Sequence, residues 1–405
     1  MGRFIIVVLD SFGIGAMRDV PEVRPSDCFS NTAKHILEAV PNAYWPTLER
    51  LGLMNALGEE VGRMHFSKQA RFGKANLAHI GADSFLGHQE IMGTEPKPPV
   101  NQAFNECIKE VADHLSKKGH QVRFVGADDE PKILVVDETV TVGDNLETDL
   151  GQVFNVSSCL DWIDFQDVVK IGREVREVVK VSRVITFGGR GITLQNLLDA
   201  RKVKENRFAG IDAPESGVYD HDYHVIHLGY GIDPNVQAPT LIHQANIPVF
   251  LLGKIADIIQ VDGSEDYPGV QSEQLFNQLE GLIEKHPTGF FALNIQETDL
   301  AGHAENPARY EERLSVCDQK LAELLPKLAE EDILVVMADH GNDPTIGHSQ
   351  HTREQVPLLF YKKGTSKVDD LGVAKSMADI GATAADYFGT KPPQHGTSWL
   401  AKLNG

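Results

Sequence analysis

The strongest constraint on the fold of this chain is a set of short, nearly unbroken apolar runs rich in β-branched residues. They occupy residues 4–9, 133–136, 249–252, 290–295, 333–337 and 356–361. Continuous rather than alternating hydrophobicity is typical of strands buried on both faces. Helical patterns at 272–284 and 309–325 lie between several of these runs. Strands that alternate with helices predict an α/β fold, a mainly parallel sheet with helices on both faces.

The chain length and its punctuation predict two domains. At 405 residues the chain exceeds what one ordinary core accommodates. A proline-rich segment at 95–99 and a polar stretch at 212–223 bracket a region with its own strand and helix patterns, including an amphipathic one at 167–181. We therefore expect a core from 1–98 and 223–405, with a smaller α/β cap inserted at 99–222.

The charge balance excludes several classes of partner. A formal net charge of -20 argues against a nucleic-acid or anionic-membrane surface, because both need clustered lysine and arginine. An anionic substrate must then meet a locally reversed field, which bound metal cations provide most directly. Four scattered cysteines indicate neither disulfides nor a thiolate zinc site, and no apolar stretch is long enough to span a membrane. These features, and an N-terminal apolar run too short for a signal peptide, predict a cytoplasmic protein.

Carboxylate and imidazole side chains follow three of the buried runs. Ligands of open α/β sheets bind at the carboxyl ends of strands, which makes these positions candidate site residues. They are Asp10, Asp299, His303, Asp339, His340 and His351. Taken singly, each aspartate is more often a turn or cap residue, and each histidine a satisfied core or surface group.

The combination points to bound metal. Three carboxylates within ~4 Å of one another would repel by roughly 4 kcal/mol per pair at an effective dielectric near 20. Oxygen and imidazole ligands without thiolate suit manganese, zinc or iron, and two adjacent ions form the clamp used in phosphoryl displacement. The sequence thus predicts a two-metal centre for phosphate chemistry.

Ser84 is the candidate nucleophile. It lies in a glycine-flanked segment at 81–93, and metal coordination is one way to activate a serine hydroxyl without a histidine partner. The alternative is that Ser84 only caps a helix. The two roles are compatible, because a helix N-terminus also favours phosphate.

Five segments resemble the phosphopentomutase family of the alkaline phosphatase superfamily. They are VLDSFGIG at 8–15, DSFLGH at 83–88, GKIADI at 253–258, ADHGNDPT at 338–345 and QHTRE at 350–354. The resemblance implies an alkaline-phosphatase-like sheet and a phosphomutase that interconverts ribose 1-phosphate and ribose 5-phosphate. It is strong at both ends of the chain and weak in the cap.

The resemblance also implies the roles of the site residues. Asp10, Asp339 and His340 would hold one metal, with phosphorylated Ser84 as a further ligand. Asp299, His303 and His351 would hold the other. Manganese is the usual ion in the family, and a sugar bisphosphate of the glucose 1,6-bisphosphate type primes the phosphoenzyme.

The chain departs from the family pattern at several positions. Ser84 stands where threonine is usual, Gln89 stands where tryptophan is usual, and Asp299 and His303 are four rather than five residues apart. The segment 212–223 occupies the place of an arginine-rich substrate segment. These departures predict retained metal machinery with altered sugar recognition.

Residues that could bind the sugar phosphate are Lys254, Arg190, Arg201, Arg207 and Asp149. Guanidinium and ammonium groups pair with phosphate, and Asp149 could accept from a sugar hydroxyl. For each arginine the alternative is a solvated surface charge, and for Asp149 an ordinary loop aspartate. Lys254 is the preferred candidate.

Two other functions remain open from the sequence. A phosphatase or phosphodiesterase could use the same metals and nucleophile with water as the acceptor. A metal-binding regulatory protein without turnover is the second alternative, and the complete set of ligand candidates disfavours it. The expected partner is a small sugar phosphate, and the oligomeric state is left open.

Overall fold

The computed structural model describes residues 2–147 and 150–404. The chain divides into two compact units, Met1–Pro96 with Asp233–Gly405 and the intervening Lys97–Ile232. In the described residues no helix is both long enough and apolar enough to cross a membrane.

The described part of the first unit contains one eight-stranded sheet, in the order β12-β11-β13-β1-β14-β15-β2-β16. Its strands are β1 (Arg3–Leu9), β2 (Arg71–Ala75), β11 (Val249–Leu252), β12 (Glu265–Tyr267), β13 (Gly289–Ile295), β14 (Ile333–Met337), β15 (Val356–Tyr361) and β16 (Asp369–Ala374). Neighbours from β12 to β14 run parallel, whereas β15 is antiparallel to both β14 and β2. Every residue of β1, β13 and β14 is buried, as strands covered on both faces require.

Helices of the first unit bury apolar faces in the same hydrophobic core. They are α1 (Val20–Val23), α2 (Thr32–Ala39), α3 (Pro46–Leu51), α4 (Leu53–Leu57), α5 (Ser84–Ile91), α10 (Ala238–Gln244), α11 (Lys254–Ile258), α12 (Ser272–Lys285), α13 (Glu297–His303), α14 (Pro307–Leu324), α15 (Ala378–Tyr387) and α16 (Leu400–Asn404). In α12, for example, Leu275, Phe276 and Leu279 recur at helical spacing and are buried.

The second unit has its own sheet, in the order β10-β7-β6-β5-β4-β3, and a separate β8-β9 hairpin. The strands are β3 (Val122–Val125), β4 (Ile133–Val136), β5 (Val140–Asp144), β6 (Val153–Cys159), β7 (Arg183–Gly189), β8 (Arg201–Lys204), β9 (Phe208–Ile211) and β10 (His224–Gly229). The helices are α6 (Phe104–Lys117), α7 (Phe165–Val178), α8 (Leu194–Asp199) and α9 (Ala213–Ser216). Among the described strands of this unit, only β6 and β7 pair in parallel.

The predicted fold class is confirmed, and each of the six apolar runs forms a strand. The boundary predicted at residue 222 differs from the observed one at Ile232. The reason is β10, which pairs with β7 along its length and therefore belongs to the second unit. Its residues are mostly exposed or half-buried, so no apolar run marked it as a strand.

Candidate metal centre

The predicted ligands come together because three adjacent parallel strands end at one edge of the first sheet. β1 lies between β13 and β14, with Leu9 in register with Ile295 and Val8 with Met337. Asp10 directly follows β1, and Asp339 follows β14 by two residues. Asp299 lies in α13, which begins two residues after β13. Parallel strands therefore deliver all three carboxylates to the same edge.

The first cluster consists of Asp10, Asp339 and His340, whose candidate ligand atoms all lie within 4.8 Å of one another. All three residues are 0% exposed. His340 Nε2 lies 3.2 Å from Asp339 Oδ2 and 3.6 Å from Asp10 Oδ1. Neither Asp10 Oδ1 nor His340 Nε2 forms a hydrogen bond with a described residue. Two buried polar atoms therefore have ion-pair contacts but lack the well-directed hydrogen bonds that burial normally demands.

Burial disfavours the charged forms of these side chains, whereas neighbouring opposite charges favour them. Burial, followed by the neighbouring Asp339 charge, raises the pKa of Asp10. Although burial opposes it, the charges of His340 and His88 hold the pKa of Asp339 well below its usual value. Burial lowers the pKa of His340, but the carboxylate of Asp339 outweighs it and raises the pKa to about 9. The charged forms of Asp339 and His340 therefore stabilise each other within this buried cluster.

Lys254, the first residue of α11, adds a cation to this edge of the sheet. Its Nζ lies 3.0 Å from Asp10 Oδ2 and 4.0 Å from Asp299 Oδ2. Burial opposes its charge, but the carboxylates of Asp10, Asp339 and Asp299 raise the pKa of Lys254 above its ordinary value. Lys254 is therefore a fixed positive charge between the two sets of predicted ligands.

The second cluster consists of Asp299, His303 and His351, again with ligand atoms within 4.8 Å of one another. Asp299 is buried, but the side chains of His303 and His351 are 42% and 22% exposed. Asp299 Oδ2 lies 3.4 Å from His303 Nε2, and Oδ1 lies 3.3 Å from His351 Nε2. Despite the opposing effect of burial, hydrogen bonds with both imidazoles hold the pKa of Asp299 well below its usual value. The ring of His351 stacks on that of His340 at 3.9 Å, which places the clusters side by side.

Backbone carbonyl groups fix the tautomers of these imidazoles. Nδ1 of His303 lies 2.6 Å from the Ser349 oxygen, and Nδ1 of His351 lies 2.8 Å from the Ala82 oxygen. A carbonyl only accepts, so each Nδ1 carries a proton. In the charged form a ring donates from Nε2 to Asp299, and in the neutral form it presents a lone pair at Nε2. These two Nε2 atoms are 3.0 Å apart. Two lone pairs at that distance require a proton or a cation between them, and second-shell carbonyls of this kind accompany metal-bound histidines.

Ser84 is the first residue of α5 and is 6% exposed. Asp83, not Ser84, is the N-cap, and its side chain accepts from the Leu86 amide. The alternative role of Ser84 as the cap is therefore wrong. Ser84 Oγ donates to Asp339 Oδ2 at 2.8 Å, which joins the predicted nucleophile directly to the first cluster.

A buried bridge connects Ser84 with Asp10. Asn294 Nδ2 lies 3.0 Å from Asp10 Oδ2 and 2.9 Å from His88 Nε2. His88 Nδ1, in turn, donates to the Ser84 backbone oxygen at 2.8 Å. Strand β13 and helix α5 are thereby linked to the end of β1.

Ser11 adopts a left-handed backbone at the end of β1, with φ of 68°. This uncommon conformation directs the Ser11 amide to Asp339 Oδ1 at 3.0 Å. Its hydroxyl hydrogen-bonds with the buried Tyr310 hydroxyl at 2.8 Å. The turn therefore holds the Asp339 carboxylate beside the end of β1.

The residues present fit a pair of divalent cations. The first cluster offers two carboxylates and an imidazole, and among them Asp10 Oδ1 and His340 Nε2 form no hydrogen bond with a described residue. The second offers a carboxylate and the Nε2 atoms of two imidazoles. Oxygen and nitrogen donors without thiolate match manganese, zinc or iron. The assignment of these six residues as ligands is still a prediction.

The other predicted substrate residues lie in the second unit. Arg207 pairs with Glu106, Arg190 with Asp222 and Asp161, and Arg201 with Glu130. Asp149 lies outside the described residues. Only Lys254 among the substrate candidates lies with the metal-ligand candidates in the first unit.

Sequence reasoning did not assign roles to Ser11, His88, Asn294 or Arg353. The spacing of four residues from Ser84 to His88 places both on one helix face, and this signal was available. Asn294 is a polar residue inside an apolar run, which is also unusual for a buried strand.

Comparisons with known proteins agree with a metal centre. The model of the metalloenzyme superfamily matches residues 2–392. A phosphopentomutase from Clostridioides difficile (strain 630) is 28% identical over 414 aligned residues, covering 100% of both chains. The phosphoglycerate mutase structure from Leishmania mexicana is 11% identical with a TM-score of 0.47, covering 98% of this chain and 97% of that one. The PH0037 protein from Pyrococcus horikoshii is 14% identical with a TM-score of 0.46, covering 96% of each chain. Neither structural likeness is close enough to carry a conclusion.

Proposed function

Because this chain belongs to the metalloenzyme superfamily, we propose that it is a metal-dependent phosphomutase. It moves a phosphoryl group between two positions of a sugar phosphate through a phosphoserine at Ser84. The proposed substrates are ribose 1-phosphate and ribose 5-phosphate, after the phosphopentomutase it resembles over its whole length. Manganese is the proposed ion, and a sugar bisphosphate of the glucose 1,6-bisphosphate type is the proposed activator.

The observation that carries the proposal is the position of Ser84. Its hydroxyl lies 2.8 Å from Asp339 Oδ2, in a cluster where Asp10 Oδ1 and His340 Nε2 form no hydrogen bond with a described residue. A serine used only as a cap would not need this contact with a buried carboxylate. Bound divalent ions would supply positive charge for the phosphoryl oxygens and favour loss of the serine proton.

The residues of the chain prepare the serine for attack on phosphorus. Asp339 Oδ2 accepts a hydrogen bond from the Ser84 hydroxyl, and Asp339 Oδ1 accepts one from the Ser11 amide. The new bond joins Ser84 Oγ to phosphorus as the bond from phosphorus to the sugar oxygen breaks. This first transfer comes from the sugar bisphosphate, and the proton of Ser84 passes to the departing sugar oxygen. The phosphoserine then gives its phosphoryl group to the free hydroxyl of the sugar monophosphate, whose proton returns to Ser84 Oγ, and Ser84 takes back the phosphoryl group at the other sugar position. As the first residue of an eight-residue helix, Ser84 also lies where the helix dipole favours a phosphate.

Lys254 is proposed to bind the phosphoryl group that enters or leaves. Its Nζ is held 3.0 Å from Asp10 Oδ2 and its side chain is only 19% exposed, so its charge acts mainly within the site. When an anionic substrate binds, Lys254 would exchange some of its contacts with carboxylates for contacts with phosphate oxygens. This gives an acidic protein a local cation for an anionic ligand.

The test is phosphorus NMR of manganese-loaded protein mixed with ribose 1-phosphate and a trace of glucose 1,6-bisphosphate. We expect conversion to ribose 5-phosphate and no conversion by Ser84→Ala. Ser84→Thr keeps a hydroxyl and serves as the matched control, for which we expect retained turnover.

The outcomes separate the candidate functions. Release of inorganic phosphate without isomerisation would identify a phosphatase. A Ser84→Ala protein as active as the parent would overturn the phosphoserine mechanism. Metal binding without any phosphoryl transfer would favour a regulatory protein.

A further inference from the structure

The seven residues 77–83, which we call the strap, lead from β2 into the nucleophile helix α5. The strap has no regular secondary structure of its own, so side chains must satisfy its backbone groups. Glu90, fully buried on α5, accepts from the amides of Ala78 and His79 at 3.0 Å. Two backbone donors of the strap are thus held by the helix that follows it.

Arg353 binds the carbonyl groups of the same strap. Its Nη1 donates to the oxygens of His79 and Gly81, each at 2.7 Å, and its Nη2 donates to the Leu77 oxygen at 3.1 Å. The remaining N–H groups of the guanidinium go to the carboxylate of Asp19 at 2.8 to 3.1 Å. All five donors of this guanidinium are used, and Arg353 is 5% exposed.

The strap reaches both parts of the predicted centre. Ala82 supplies the carbonyl that accepts from His351 Nδ1 and thereby sets the direction of His351 Nε2. Two residues later the chain reaches Ser84, which contacts Asp339 of the first cluster. A displacement of the strap would therefore move a predicted ligand of the second cluster and the nucleophile together.

We propose that Arg353 is a positioning residue that fixes the backbone of the strap. It thereby sets the position of Ser84 relative to the metal that the second cluster would hold. The inference rests on the proposed function, since it assigns a support to the same centre. A lysine could not replace it, because one ammonium with three donors cannot span three carbonyls and a carboxylate.

The experiment compares Arg353→Lys with the parent in the full-length protein. Metal-stripped protein is titrated with Mn²⁺, and free Mn²⁺ is followed by electron paramagnetic resonance. We expect one of two ions to bind about ten- to a hundredfold more weakly, as when a second-shell partner is lost, while the other is unchanged. The turnover number should fall with little change in KM.

Arg123→Lys is the matched control. The guanidinium of Arg123 also donates two N–H groups to one carboxylate, that of Glu138, but it is exposed and binds no backbone carbonyl of a described residue. This variant should bind both ions as the parent does. His303→Gln identifies the affected ion: combining it with Arg353→Lys should weaken binding no further than His303→Gln alone does.

Asp19→Asn provides a second variant if Arg353→Lys does not fold. It keeps the three contacts of Arg353 with backbone carbonyls and weakens only the ion pair between Arg353 and residue 19. The dissociation constant of the same ion should therefore rise severalfold. Unchanged binding of both ions in a folded Arg353→Lys, or in Asp19→Asn where the lysine variant fails to fold, would overturn the inference. Equal loss of both ions in a folded variant would also overturn it, because a general structural role predicts that result. A parent protein that binds no second ion would instead overturn the proposed function itself.

Discussion

The two predicted metal clusters share one edge of a sheet but differ in how their ligands are held. The first, Asp10, Asp339 and His340, is entirely buried. The second exposes 42% of the His303 side chain and 22% of that of His351. Ligands of the first follow buried strands directly, whereas those of the second lie on α13 and in the loop after His340.

This difference separates two ways of building a metal site. Strand ends in a packed sheet place their side chains through the core, so the first cluster depends on the fold itself. The second cluster depends on hydrogen bonds from imidazoles to the carbonyls of Ser349 and Ala82, where water can compete. We infer that the first cluster holds the nucleophile in a fixed geometry and that the second is the more easily lost.

The largest effect is expected for Asp339→Asn, which removes a charge shared by Ser84 and His340. Removing one group that stabilises charge developing in a transition state lowers the rate about a hundred- to a thousandfold. Phosphoryl transfer, measured by phosphorus NMR, should fall at least about a thousandfold, with one Mn²⁺ fewer per chain. The control is Asp370→Asn, an exposed strand residue of the same unit. Two ions at parental affinity in Asp339→Asn would remove the first cluster from the mechanism.

His303→Gln tests the other side of the comparison. The amide lacks the bare Nε2 that faces His351, so the second ion should bind at least about tenfold more weakly. The first ion should bind as before, because its residues keep their buried contacts. Titration with Mn²⁺ measures both constants, and the exposed His65→Gln is the matched control. A parallel loss of both ions would show that the clusters do not act separately.

The contrast between the clusters was only partly predictable from sequence. Buried runs and the polar residues after them are local features, so the positions of Asp10 and Asp339 could be read from the chain. The pairing of His351 with Asp299 came from a family resemblance, because 52 residues separate them in the chain.

Contacts across long sequence separations were not predictable in this way. Arg353 stands in a segment that the resemblance identified, but its partners in the strap are 272 to 276 residues away. Likewise, no local pattern indicates that Ser11 takes a left-handed backbone, since this conformation depends on Tyr310 and Asp339. The predicted end of the second unit, residue 222, differs from the observed Ile232 because β10 pairs through its backbone and most of its residues are exposed or half-buried.

Removal of metal should destabilise the first unit, mainly through the first cluster. A ligand present at a hundred times its dissociation constant stabilises the folded state by about 2.7 kcal/mol. The midpoint of thermal unfolding should therefore be lower in chelator than in Mn²⁺. If buried carboxylates cause the difference, Asp339→Asn should shrink it more than His303→Gln does. Calorimetry measures how far Mn²⁺ raises the unfolding midpoint of each variant above its value in chelator. Equal increases in Asp339→Asn and His303→Gln would show that the unequal burial of the clusters is not the cause.

The smallest effect is expected at Arg24, which supports the second cluster from outside. Its Nη2 donates to the His351 oxygen at 2.8 Å, while Nε pairs with Asp27 at 2.7 Å. Since Arg24 is partly exposed, water can replace it, and Arg24→Gln should weaken the second ion by about tenfold or less. Arg63→Gln, which also removes a donor to a backbone carbonyl but at the exposed Asn42, is the control. Weaker binding of the first ion in Arg24→Gln would mean that the loop after His340 also supports the ligands at the strand ends. The distinction between the two clusters would then fail.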